Sequence, residues 1–121
     1  MWHNTWGNDA ATCRYAVMRE GGDGCGEGTT QRVCSRPEGN TEQGLCDMAG
    51  NVREWVQDWF HSDYEGAPDD GSAWNDGSGS RVNRGGSFNK TAENLRAANR
   101  TQQVPTEERD TVGVRCAKDA P

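Results

Sequence analysis

The sequence is short of apolar material. Its hydrophobic share is 31% and its mean hydropathy −1.04, too little for a core filled by aliphatic side chains alone. No apolar run approaches the ~18 residues that a membrane-spanning helix needs, so membrane insertion is not expected. Basic residues are in deficit: 13 Lys and Arg against 19 Asp and Glu leave a net charge of −6. That balance excludes a general nucleic-acid binder, because the phosphate backbone rewards basic surfaces, and it disfavours an anionic membrane surface. The common catalytic signatures G-x-S-x-G, H-E-x-x-H and the P-loop are all missing. So is C-x-x-C, and the two histidines, His3 and His61, stand in no ligand spacing, which argues against a zinc ribbon or a thioredoxin-like site.

What is present is 16 glycines, five cysteines and five tryptophans in 121 residues. A disordered chain would be poor in Trp and Cys. The composition therefore predicts one ordered, loop-rich domain over residues 1–121, stapled rather than packed with aliphatics, in which the tryptophans supply much of the buried area. Four cysteines, Cys13, Cys25, Cys34 and Cys46, lie in the first half and allow three pairings. The pairing Cys13–Cys25 with Cys34–Cys46 is favoured because both bonds close local loops, and it leaves Cys116 over. The start "MWHNTWGNDA" has no basic segment and no apolar core, so it does not read as a signal peptide. Cysteine density in a small polar chain nevertheless points to an oxidising compartment, and a secreted, periplasmic or surface-attached location is expected.

Along the chain, "RYAVM" offers one short strand, and residues 21–44 form a long loop punctuated by Gly and Pro. "RVNRGGSF", "LRAANRTQ" and "VGVRCA" read as three short strands, with "VPTEERDT" as an exposed connection. Between these regions lies "GLCDMAGNVREWVQDWF", Gly44 to Phe60. Its Val52, Trp55, Val56 and Trp59 fall at i, i+3, i+4 and i+7, which favours an amphipathic helix. The same residues suit a strand, and Gly50–Asn51 just before them suit a turn.

Acidic residues cluster in the middle third. Asp47 and Glu54 flank Gly50, where an irregular turn can expose carbonyls, and this is the arrangement a hard cation such as Ca²⁺ wants. The alternative for each acid is solvation or pairing with an arginine, since Arg84, Arg96, Arg100 and Arg115 recur in the predicted C-terminal strands. Trp55 and Trp59 are expected in the core. Trp74, in a polar loop, is the better candidate for an exposed binding aromatic.

Four motifs in order, "GLCDMAGNVREWVQDWF", "RVNRGGSFN", "LRAANR" and "VGVRCA", together with "WGND" at Trp6–Asp9, resemble the formylglycine-generating enzyme family, also called sulfatase-modifying factor domains. The resemblance covers nearly the whole chain and the C-terminal part of the family's domain. It implies an α+β, C-type-lectin-like fold with little regular secondary structure. It also implies that the Gly50–Trp55 segment runs as turn and strand rather than helix. Similar enzymes bind calcium through this turn, which puts the ligands at Asp47, Gly50, Val52 and Glu54, with carbonyls from Gly50 and Val52.

The family's oxidation of a sulfatase cysteine uses two cysteines and copper(I), soft thiolates selecting the soft ion. Those cysteines follow the G-G-S-[YWF] motif. Here Asn89 and Lys90 stand where the first is expected, no cysteine follows until Cys116, and Arg53 replaces the first Trp of the usual W-E-W. Ser87 is retained. Copper is accordingly not expected, and formylglycine generation is the alternative reading. The family also includes variable ligand-binding proteins diversified by retroelements, and many bacterial members that are secreted or lipid-anchored. A non-catalytic, Ca²⁺-stabilised binding domain is the leading expectation. Its partner would be a small ligand or a protein, and its candidate residues are Arg53, Ser87, Phe88, Asn89, Lys90, Asn94 and Trp74.

Overall fold

Four short strands make one mixed sheet, and loops make most of the rest. The computed structural model describes residues 3–119. The strands are β1 (Arg53–Trp59), β2 (Arg81–Arg84), β3 (Arg100–Gln103) and β4 (Val112–Gly113), in the spatial order β3-β2-β1-β4. β1 pairs antiparallel with β2 and β2 antiparallel with β3, while β4 lies parallel to β1 through Arg53↔Val112 and Glu54↔Gly113. Three 3-10 turns, Asp23–Gly26, Pro37–Gly39 and Ala92–Leu95, are the only helical segments among the described residues. No helix there is long and apolar enough to cross a membrane.

The 3.6-residue periodicity of Val52–Trp59 is not realised as a helix. β1 is extended because its partners lie across the sheet: Glu54 faces Arg84, Trp55 faces Asn83 and Trp59 faces Arg81. Cross-strand partners outweigh local propensity where a segment fits both patterns. The register shifts between Trp55 and Trp59, a β-bulge that adds residues to β1 alone.

The predicted strands are present in shortened form. "LRAANRTQ" pairs only from Arg100 onward, because the Ala92–Leu95 turn drives Leu95 to full burial. "VGVRCA" pairs only at Val112–Gly113, and Val114 is 78% exposed. "RYAVM" forms no strand; its Ala16, Val17 and Met18 are buried in turn structure.

The core is small and partly polar. Ala16, Val17, Met18, Ala49, Val82, Phe88 and Leu95 are its buried hydrophobics, and Asn4, Asn51, Asn83, Ser87, Gln103 and Thr111 are buried with them. Trp55 and Trp59 are half-buried, contrary to the expectation of core tryptophans. β4 flanks β1 only at Arg53 and Glu54, so on that edge the sheet does not continue beside the tryptophans. Trp59 is instead overlaid by the Arg81 guanidinium, 4.0 Å from the ring centroid.

Two disulfides join the loops: Cys13–Cys25 and Cys34–Cys46, with Cα separations of 5.8 and 5.2 Å. Of the three possible pairings this is the one that closes local loops. Restricting loops of this size in the unfolded chain contributes on the order of 3 kcal/mol each. Cys116 is free and exposed.

Candidate functional site

The turn that leads into β1 requires unusual backbone. Asp47 (φ 54°), Gly50 (φ 83°) and Asn51 (φ 65°) all occupy the left-handed region. Asp, Gly and Asn are the residue types that tolerate it, which accounts for the local composition "DMAGN". Gly50 is required twice over, since a Cβ there would lie 2.7 Å from the Val17 carbonyl oxygen. Asn51 is buried and fully used. Its amide exchanges hydrogen bonds with the Gln31 backbone (3.0 and 3.1 Å), its N–H donates to Val17 O, and its carbonyl accepts from Phe88 N–H. One residue, through its side chain and its backbone, thus ties the long Gly-rich loop to the head of β1 and to the segment after β2.

Asp47, Gly50, Val52 and Glu54 line one cavity of about 340 Å³. Asp47 Oδ2 accepts the Cys34 N–H at 2.6 Å. The Glu54 carboxylate is gripped by Arg115 from two nitrogens, Nε at 3.0 and 3.1 Å and Nη2 at 2.7 Å, and the same Nη2 donates to Asp47 O at 3.3 Å. The hydrogen bond to Glu54 raises the Arg115 pKa further; burial opposes this, and the charges of Glu54 and Asp47 add to it. Among the described residues the carbonyls of Gly50 and Val52 accept no hydrogen bond from turn or loop backbone or from side chains. Two carboxylates and the carbonyls of Gly50 and Val52 bring to one cavity the oxygen types that a hard cation takes. Arg115 would have to share or release Glu54. Cys34 and Cys46 also lie beside Asp47, but their sulfurs are bonded to each other and offer no thiolate.

A second, larger cavity of about 650 Å³ opens on the other side of the head of β1. Three segments build it: Arg53 from β1, Asn89 and Lys90 from the turn after β2, and Glu107 to Thr111 from the connection between β3 and β4. The turn is pinned from several sides. Ser87, with no exposed surface, donates from Oγ to Asn89 Oδ1 at 2.9 Å, and Lys90 N–H returns to Ser87 O. Phe88 binds Asn51 O through its N–H and Gly24 N–H through its carbonyl, and Lys90 O accepts from Arg19 N–H. Arg53 is held by its own N–H on Thr111 O at 2.8 Å.

The candidate ligand residues therefore divide. Arg53, Asn89 and Lys90 come together in the large cavity. Ser87 and Phe88 are buried beneath it as supports. Asn94 belongs to the Ala92–Leu95 turn and does not line it. Trp74 lies elsewhere: its ring stacks on His61 with centroids 3.5 Å apart, and its backbone bonds Asp58 and Trp59. One face of that indole is thus already covered. Glu107 to Thr111 escaped notice in the sequence, where they read as an exposed connection. The available signal was the density of charge in "EERD" between two short strands.

Charge in the large cavity is unevenly satisfied. Arg109 pairs with Glu107 at 2.9 Å. Neither Arg53 nor Lys90 makes an ion pair among the described residues, and Arg53 Nε is buried without a hydrogen-bond partner. Burial, and then the charge of Arg109, lower the Arg53 pKa. The one free thiol, Cys116, does not line the cavity.

The family model described as sulfatase-modifying factor enzyme 1-like domain matches residues 1–120. Among curated proteins, the formylglycine-generating enzyme of Streptomyces coelicolor is 37% identical over 89 residues, covering 70% of this chain and 27% of that protein. The serine/threonine-protein kinase Pkn1 of Chlamydia trachomatis is 45% identical over 80 residues, covering 63% of this chain and 13% of the kinase. Among solved structures, PvdO from Pseudomonas aeruginosa superposes with a TM-score of 0.77 at 32% identity, covering 89% of this chain and 40% of that one. Variable protein 1 of Treponema denticola shares the fold at a TM-score of 0.67 and 23% identity, covering 92% and 39%. The chain spans about a quarter or less of the curated relatives it matches and about 40% of these solved chains. With this match over almost its whole length, and with the loop-rich α+β fold shared with those structures, the chain belongs to the formylglycine-generating enzyme, or sulfatase-modifying factor, family.

Proposed function

We propose that this domain binds a ligand without transforming it, in the cavity headed by Arg53 and Lys90. The observation that carries the reading is the content of that cavity. Arg53, Asn89 and Lys90 converge there on a pinned turn, and no thiol is among the lining residues. Soft thiolates are what would hold Cu(I), so the residues that line the cavity do not fit copper. The relatives support the separation of fold from activity: matching segments occur both in a formylglycine-generating enzyme and within a protein kinase.

The turn at Asp47, Gly50, Val52 and Glu54 is the proposed Ca²⁺ site. Its role would be to brace the head of β1, from which Arg53 projects one residue before Glu54. The two disulfides fit an oxidising environment, and the proposed location is secreted, periplasmic or surface-attached.

The competing function is tested directly by incubating the purified chain with Cu(I), oxygen and a C-x-P-x-R peptide. The peptide thiol should persist. Its loss with formation of formylglycine would overturn the non-catalytic reading.

A further inference from the structure

The cavity proposed above as the ligand site contains a conspicuous imbalance. Arg53 brings a guanidinium partly out of water, with Nε buried and unbonded and no acid paired to it. Removing a charged donor from water without a partner is costly, and an unpaired one beside a cavity invites a partner such as a water, an ion or a ligand. Each other charged group in the cavity can be placed. Glu107 is committed to Arg109. Glu108 and Asp110 are exposed, where solvent and salt screen them. Lys90 is half-buried and unpaired. Asn89 spends its Oδ1 on the Ser87 hydroxyl, which leaves its amide N–H donors for the cavity. The inner groups are thus all donors: two cations and one amide.

We infer that the cavity takes a small ligand through an oxyanion, a carboxylate or a phosphate, seated on Arg53 with Lys90 and the Asn89 amide beside it. A guanidinium presents parallel N–H groups that match such an anion with two bonds, which an ammonium cannot do alone. The oxyanion would bond the Arg53 Nη groups, which unlike Nε are not buried, and would supply the counter-charge that Arg53 and Lys90 lack. The exposed acids at the rim disfavour extended polyanions, so the anionic group enters as the end of a small molecule. This inference rests on the reading of the cavity as a ligand site and names what that ligand must carry.

The arginine side-chain N–H signals of the ¹⁵N-labelled chain provide the test. Acetate, inorganic phosphate and a neutral fragment, acetamide, are titrated separately at constant ionic strength set with chloride. Acetate or phosphate should shift the Arg53 Nε–H signal saturably, at concentrations of about 1–50 mM for so small a probe. Arg53→Gln should weaken the response of the remaining cavity signals about tenfold or more, and Lys90→Gln by a smaller factor. Spectra of both variants report whether they fold, and the wild-type titration stands without them. Shifts by acetamide but not by the oxyanions would overturn the inference and leave the ligand site standing. No saturable shift of any cavity signal by any probe would overturn both. An oxyanion response unchanged in Arg53→Gln would also contradict the assignment.

Discussion

The two ends of the family's signature segment differ in how their polar groups are used. At Asp47–Asn51 the backbone is fixed: three residues hold left-handed backbone, Asn51 makes four hydrogen bonds, and Gly50 has no room for a methyl group. At the cavity two residues further on, Arg53 and Lys90 are unpaired and the wall from 107 to 110 is exposed. Saturated groups mark what the fold needs. Unpaired cations that face a cavity from a rigid support are available to a ligand.

This contrast can be broken by substitution. Gly50→Ala should have the largest effect, a loss of at least ~3 kcal/mol in urea unfolding, because it adds left-handed strain to a clash with the Val17 carbonyl. Asn51→Ala should follow at about 2–3 kcal/mol, since it strands both backbone groups of Gln31. A change of under ~0.5 kcal/mol for either would mean that the turn is not a fixed point of the fold.

The proposed calcium turn sharpens the comparison, because its Glu54 is held by Arg115 yet would be claimed by the ion. Ca²⁺ at a hundred times its dissociation constant should stabilise the chain by about 2.7 kcal/mol, seen as a raised melting temperature that EGTA reverses. Arg115→Gln should cost about 1–2 kcal/mol without the ion, as a partly buried bidentate pair is lost, and should strengthen the Ca²⁺ response by freeing Glu54. An EGTA-insensitive melting curve would remove calcium from the account. The smallest effect is expected in the cavity wall, where Glu108→Gln should change stability by less than ~0.5 kcal/mol.

Much of the scaffold could be read from the sequence, for physical reasons that differ by residue. "DMAGN" contains the residue types that left-handed backbone accepts, so the turn announces itself. The local disulfide pairing was the favoured of three. Val52–Trp59 was ambiguous because its apolar residues satisfy helical spacing and strand alternation at once, and partners in β2, remote in sequence, decide between them. The tryptophans misled through composition: Trp55 and Trp59 are only half-buried, and the buried core is built from smaller side chains. Ser87 drew attention as a possible site residue, yet its burial makes it a strut for Asn89. The far wall, Glu107 to Thr111, could not be read as a site, because only the parallel pairing of β4 with β1 brings it over Arg53.

The central claim is that Arg53 and Lys90 serve binding and not folding. It is tested most directly by measuring unfolding free energy and oxyanion titration together in the Arg53→Gln/Lys90→Gln double variant. The account predicts stability within ~0.5 kcal/mol of the wild type, or higher because an unpaired buried cation is gone, with anion binding lost. A loss of 2 kcal/mol or more in stability, roughly the scale of a core defect, would contradict it and return both residues to the scaffold.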